Sequence, residues 1–179
     1  MEWGDPEANQ RLGFIRDHFV LPYVNSEHVA LEIGPGGGRW TRYLLGFGQL
    51  YVVDYHAELL RELKRNFNQA NVRFIKNSGA DFPGVSDGSI DFLFSFDCFV
   101  HLDMHLIETY LKNIGRILRP GGNALIHYSD KSKVKAQMNP DFSENTPERM
   151  RRMILQSGFL ILEEDVITTQ HSSIVRFTH

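Results

Sequence analysis

The chain has 179 residues, about one domain, with 42% hydrophobic and 23% charged residues, which excludes a disordered, collagen-like or disulfide-stapled chain. Cys98 is the single cysteine, so no intramolecular disulfide forms and a reducing, cytoplasmic compartment is expected. A net charge of −3 argues against a broad nucleic-acid or anionic-membrane surface, no apolar run reaches the ~18 residues of a membrane span, and Met1–Gln10 lack the basic start of a signal peptide.

In chain order, short β-branched or aromatic runs alternate with helical stretches. The first helix is expected over Asp5–Phe19, within an N-terminal helical segment 1–25. Strands follow at His28–Ile33, Leu50–Asp54, Asn71–Lys76, Ile90–Phe96, Asn123–Tyr128, Phe159–Ile167 and Ser173–Phe177. Most are continuous apolar runs, as expected of strands covered on both faces. Helices are expected at Gly38–Leu45, His56–Phe67, Asp103–Leu118 and Pro147–Gln156. The fourth stops at Arg119-Pro120-Gly121-Gly122, and the last starts at Thr146-Pro147, a cap followed by proline at the first helical position. Arg149, Arg151 and Arg152 beside Glu148 read as a solvated helix face.

Strand–helix–strand alternation implies right-handed crossovers and a mainly parallel sheet. Only Thr168–Ser172 separates the last two runs, too little for a crossover, so they should pair as an antiparallel hairpin. The expected fold is α/β: a three-layer sandwich around a mainly parallel seven-stranded sheet, with the whole chain, 1–179, as one domain.

The strongest chemical signal is Glu32-Ile33-Gly34-Pro35-Gly36-Gly37-Gly38-Arg39, after the first strand and before a helix. Glycines there permit a tight turn and let a ligand approach the backbone. Asp54 ends the second strand, where an acid can accept hydrogen bonds from ribose hydroxyls or cap the next helix. No Gly-Lys-Ser/Thr follows the loop, so it is not a P-loop. Glu32 would repel a pyrophosphate but suits a cationic or amino-bearing ligand.

These motifs resemble the first two of class I S-adenosylmethionine-dependent methyltransferases, a Rossmann-like superfamily. Gly79-Ala80-Asp81-Phe82-Pro83 is similar to that family's adenine loop, Ser89–Leu93 to its fourth strand, Leu118–Gly122 to its turn before the fifth strand, and the terminal hairpin to its reversed seventh strand. The resemblance covers His28–Tyr128 well. It implies S-adenosylmethionine as cofactor and S-adenosylhomocysteine as product. It also implies that Gly34, Gly36 and Gly38 hold the methionine portion and that Glu32 orders the loop or meets the amino group through water. Asp54 would bind ribose, Tyr55, Gly79 and Ala80 would lie at the adenine, and Phe96 would present backbone to the methionyl end. Where many members carry an acid in the adenine loop this chain has Gly79-Ala80, with Asp81 one or two positions late.

Acceptor-side candidates follow the fourth strand. His101 could take a proton near neutral pH, and Asp97 could position substrate or cap a helix. His127 and Tyr128, at the end of the fifth strand, are expected to line the same cleft. Cys98 lacks the preceding proline of base-C5 methyltransferases and reads as a small buried hydrophobe. The Asn/Asp-Pro-Pro-aromatic motif of nucleic-acid amino-methylating enzymes is missing after the fourth strand, and Asn139-Pro140-Asp141-Phe142 reads as a loop turn. His101 and His105 are four apart, but Leu102 and Leu106 suggest packing and no third ligand is evident, so no metal is expected.

No separate substrate domain fits, so acceptor recognition falls to the N-terminal segment and to the loop 129–145, a candidate lid. The expected activity is methyl transfer to an oxygen or nitrogen of a small molecule, without nucleic acid or membrane as partner. The oligomeric state is not legible. Alternatives are a non-catalytic cofactor-binding or partner-activating module and, further off, an NAD-dependent oxidoreductase.

Overall fold

The computed structural model describes residues 4–179. Seven strands form one sheet in the order β3-β2-β1-β4-β5-β7-β6. They are β1 Val29–Ile33, β2 Gln49–Asp54, β3 Val72–Lys76, β4 Ile90–Ser95, β5 Leu118–Ser129, β6 Leu160–Asp165 and β7 Ser172–Thr178. β1 pairs in parallel with β2 on one side and β4 on the other, and β7 is antiparallel to both β5 and β6. The expected fold class and the reversed final strand are therefore what the chain adopts. All six residues of β4 are buried, which explains the unbroken apolar run Phe92-Leu93-Phe94 where a half-exposed strand would alternate.

The helices are α1 Gln10–Ile15, α2 Thr41–Leu44, α3 Ala57–Asn66, α4 Met104–Ile117, α5 Val134–Gln137 and α6 Pro147–Gln156. α4 and α6 cover one face of the sheet, through Ile107, Leu111, Ile114, Met150 and Ile154 against Leu31, Leu93 and Val175. α1, α2 and α3 cover the other, where Phe92 and Phe94 of β4 and Phe96 just after it form a stacked ladder with centroids 6.4 and 6.3 Å apart. Each such fully buried aromatic contributes roughly 1.5–3 kcal/mol of transfer free energy.

Several boundaries differ from expectation for local reasons. The first helix starts at Gln10, not residue 5, because the Asn9 side chain caps Arg11 and Leu12 while Asp5 accepts the Glu7 N–H and holds residues 5–8 in a turn. It then widens into a π turn at Arg16–Val20 and a 3-10 turn at Leu21–Tyr23, where Pro22 ends it. α2 is only four residues long, since the glycine loop runs on as turns to Trp40. Leu118 is already extended, and β5 opens there against Ile90, with the Pro-Gly-Gly turn as an irregularity between the Ile90 and Phe92 pairings. Residues 1–3 of the expected N-terminal segment lie outside the described residues.

The loop 129–145 is tied down. Asp130 is buried and accepts hydrogen bonds from Ser132 and Ser173, and the Lys133 ammonium donates to the carbonyls of Thr169 (3.0 Å) and Ser172 (2.6 Å). Ala136 and Phe142 pack on Val100, and the Ser143 N–H donates to the Val100 carbonyl. No helix among the described residues is long and apolar enough to cross a membrane.

Candidate functional site

β1, β2, β3 and β4 all release their chains at the same edge of the sheet. Between β1 and β4 the strand order changes direction, which opens a crevice at that edge. Two clefts occupy it and meet at Gly34. The larger, about 900 Å³, is lined by the glycine loop 34–38, Arg39, Trp40, Arg42, Phe67, Phe96, Asp97 and His101, with Gly4 and Asp5 at its rim. The smaller, about 390 Å³, is lined by Asp54, Tyr55, His56, Gly79, Cys98, Leu102, Leu106 and Tyr110.

Gly34 adopts φ +68°, and a Cβ built there would stand 2.5 Å from the Cys98 Cβ, so β1 and the turn after β4 meet where only a hydrogen fits. Gly36 has φ +54° and its would-be Cβ meets nothing within 4 Å, leaving its backbone bare toward the cleft. Cys98 is the wall behind Gly34, and burial pushes its thiol up to about 12, so it is an inert hydrophobe.

Glu32 does not line either cleft. It is buried under the loop, where the Thr41 hydroxyl donates to its Oε2 at 2.6 Å and ties the end of β1 to α2. Burial is the largest influence on it and pushes its pKa up to about 7, with the Thr41 bond opposing. Asp54 is also largely buried, and its Oδ1 accepts the His56 N–H at 2.7 Å, so it orders the turn into α3 while facing the smaller cleft. Tyr55 is exposed beside it, with the Lys76 ammonium 5.2 Å over its ring.

On the β3 side, Gly79 lines the cleft, and its carbonyl accepts from Asn77 Nδ2 (2.7 Å) and the Tyr110 hydroxyl (2.5 Å). Ala80 instead sits in the core, with its carbonyl bonded to Asn113 Nδ2. Asp81 turns back to accept the Ser78 N–H at 2.7 Å, which holds its carboxyl below the usual range, and it lines neither cleft.

After β4 the chain makes its sharpest turn. Asp97 has φ +62°, the one non-glycine positive φ among the described residues. Its carboxylate pairs with Arg39, whose guanidinium also lies 5.9 Å from the Phe96 and Trp40 rings and donates to the Gly4 carbonyl at 3.3 Å. Burial raises the Asp97 pKa, and Arg39 counters it. His101 Nδ1 is 3.1 Å from the Asp141 carbonyl; a carbonyl only accepts, so Nδ1 carries the proton and the neutral ring keeps its lone pair at Nε2. His101 precedes α4 rather than riding on it, so it does not share a helix face with His105.

Of the expected residues, Gly34, Gly36, Gly38, Asp54, Tyr55, Gly79, Phe96, Asp97 and His101 line the clefts. His127 and Tyr128 do not. Both are fully buried, because β5 is covered on both faces at its carboxyl end and β7 runs beside it. Arg39, Trp40, Arg42, Leu102, Leu106 and Tyr110 were not anticipated as lining. Tyr110 sits on the apolar stripe of α4 and reads as core until its hydroxyl is placed. The pairing of Arg39 with Asp97 spans 58 residues, and no local pattern announces it.

Compared with known proteins, residues 30–122, more than half of the chain, match the family described as methyltransferase domain. The chain belongs to that family. S-adenosylmethionine is the cofactor of this class I superfamily. No curated protein matches the sequence. Among solved structures, an S-adenosylmethionine-dependent methyltransferase from Mesorhizobium loti is similar over 97% of this chain and 100% of its own, with a TM-score of 0.80 at 11% identity. A methyltransferase from Archaeoglobus fulgidus matches over 97% and 96%, with a TM-score of 0.73 at 14% identity. A chain from the complex of the Haloferax volcanii Trm112 methyltransferase activator with a methyltransferase matches over 97% and 95%, with a TM-score of 0.73 at 16% identity. At these identities the likeness is one of fold.

Two outcomes follow for this methyltransferase domain. An acid raised from 4.5 to about 7 on folding makes stability fall as pH rises through that window, because the native state holds a proton that the unfolded chain has lost. Glu32→Gln should abolish a loss of roughly 2–3 kcal/mol between pH 4.5 and 7, read from urea midpoints; an unchanged pH slope contradicts the assignment. Gly34→Ala should destabilise by more than the ~1–2 kcal/mol left-handed cost that Gly36→Ala incurs, and equal midpoints would contradict the close contact with Cys98.

Proposed function

We propose that this chain transfers a methyl group from S-adenosylmethionine to an oxygen or nitrogen atom of a small molecule. The observation that carries the reading is the pair of clefts joined at Gly34, one bounded by a glycine backbone and the other by an acid, an aromatic ring and a loop carbonyl. The chemistry of the donors fits the cofactor. Asp54 would accept from ribose hydroxyls, Tyr55 and Gly79 would flank the adenine, and the bare backbone at Gly34 and Gly36 would take the methionyl portion. Glu32, bonded to Thr41, would order the loop from beneath it.

When bound, the cofactor supplies an electrophilic methyl on a sulfonium, so the protein's task is alignment and exclusion of water. Phe96 and Asp97 would form the floor on which the acceptor meets the methionyl end. Arg39 neutralises Asp97 and closes the rim through Gly4. His101 would accept a proton at Nε2 from an acceptor hydroxyl or amine, an effect of roughly 10²–10⁴-fold where the acceptor is protonated. The 4–5 segment at the rim narrows the larger cleft, which supports a small acceptor over a folded macromolecule.

Asp54→Ala should weaken S-adenosylhomocysteine binding by roughly 1–3 kcal/mol in a folded variant, read by calorimetry, and an unchanged affinity removes Asp54 from the site. The acceptor class is tested by incubating the protein with methyl-tritiated S-adenosylmethionine and whole cell extract, which also supplies any activator protein, then separating by size. Label in the low-mass fraction is expected. Label confined to RNA or protein would contradict the small-molecule reading.

A further inference from the structure

His127 lies outside the clefts and yet has both ring nitrogens committed. Its side chain is fully buried on the face of β5 opposite to Ile126 and Tyr128, where an apolar residue would fill the space at lower cost. The ring stacks under Phe96 at 3.9 Å, with the planes within 4°. Nδ1 accepts the Asp97 N–H at 3.1 Å, so the neutral ring is protonated at Nε2, which donates to Ser172 Oγ at 2.5 Å. Burial, and next the nearby His171, hold the imidazole in its neutral form. The Ser172 carbonyl in turn accepts from Lys133, the residue that roots the loop 129–145.

The residue held by Nδ1 is Asp97, in its left-handed conformation. That conformation costs a non-glycine residue roughly 1–2 kcal/mol and persists only where the surroundings impose it. Were the Asp97 N–H to lose its acceptor, the turn could relax. The carboxylate would leave Arg39, and Phe96 would lose the ring beneath it.

We propose that His127 is a positioning residue that locks the Phe96–Asp97 turn as the floor of the larger cleft, and so controls how the methionyl end of the cofactor is held. This rests on the cofactor reading above. His127 acts through Asp97 and lines neither cleft, so its influence should reach the larger cleft and spare the smaller one.

The experiment compares His127→Asn with His127→Gln. Asparagine carries its amide oxygen at the reach of Nδ1 and keeps the bond to Asp97; glutamine carries its amide at the reach of Nε2 and keeps the bond to Ser172. The two are similarly polar and should lower the melting temperature alike. The probes are S-adenosylhomocysteine, which in the proposed site would span both clefts, and adenosine, which would report on the smaller one, each titrated by calorimetry. We expect His127→Asn to bind S-adenosylhomocysteine within about threefold of the wild type and His127→Gln about tenfold more weakly, with adenosine within about twofold throughout. Equal affinities of the two variants for S-adenosylhomocysteine overturn the proposal, as does a glutamine variant that loses adenosine as much as S-adenosylhomocysteine. A folded wild type that binds neither ligand overturns the cofactor reading, and the proposal falls with it.

Discussion

Gly34 and Cys98 meet with no room for a side-chain atom at position 34, and the geometry of the cleft follows from that contact. β1 and β4 are parallel neighbours, so their chains leave the sheet side by side at one edge. For the two exits to pass, one must turn without a side chain and the other must turn sharply. Gly34 does the first at φ +68°, and Asp97 does the second at φ +62°. The space that remains on either side of Gly34 is the pair of clefts.

Polar groups buried beneath this edge then hold the turns in place. Glu32 with Thr41 supports the glycine loop, the Asp97 N–H rests on His127, and Lys133 with Asp130 anchors the loop after β5. Each is a desolvated group matched by a partner, and such groups specify a geometry more than they add stability. Their common effect is a cleft whose walls are fixed from below, while its rim at Gly4, Asp5, Arg39 and Arg42 carries the exposed Arg42–Asp5 ion pair and the Arg39 bond to the Gly4 carbonyl. An exposed pair such as Arg42–Asp5 contributes little to stability.

The fold was legible because its signals are local and repeat. Apolar runs bounded by turn residues marked all seven strands, and five residues between the last two forced a hairpin. Part of the cleft lining was legible for the same reason: Gly34 and Gly36 follow the end of β1, and Asp54 ends β2. The end of β5 was not. His127 and Tyr128 end a strand at the right edge, yet β7 pairs alongside and buries them, a tertiary outcome that alternation does not reveal. Ala80 looked like a loop residue and is core, because Asn113 of α4 reaches its carbonyl. The first helix was overextended because a run of helix-compatible residues hid the cap at Asn9.

The central claim is that the crevice at Gly34 is an S-adenosylmethionine site. The most direct measurement is calorimetric titration of the folded protein with S-adenosylmethionine and S-adenosylhomocysteine, with NADH as control. Binding of both sulfur nucleotides at one site per chain, and none of NADH, is the predicted result. Binding of NADH alone, or of none of the three, would contradict it.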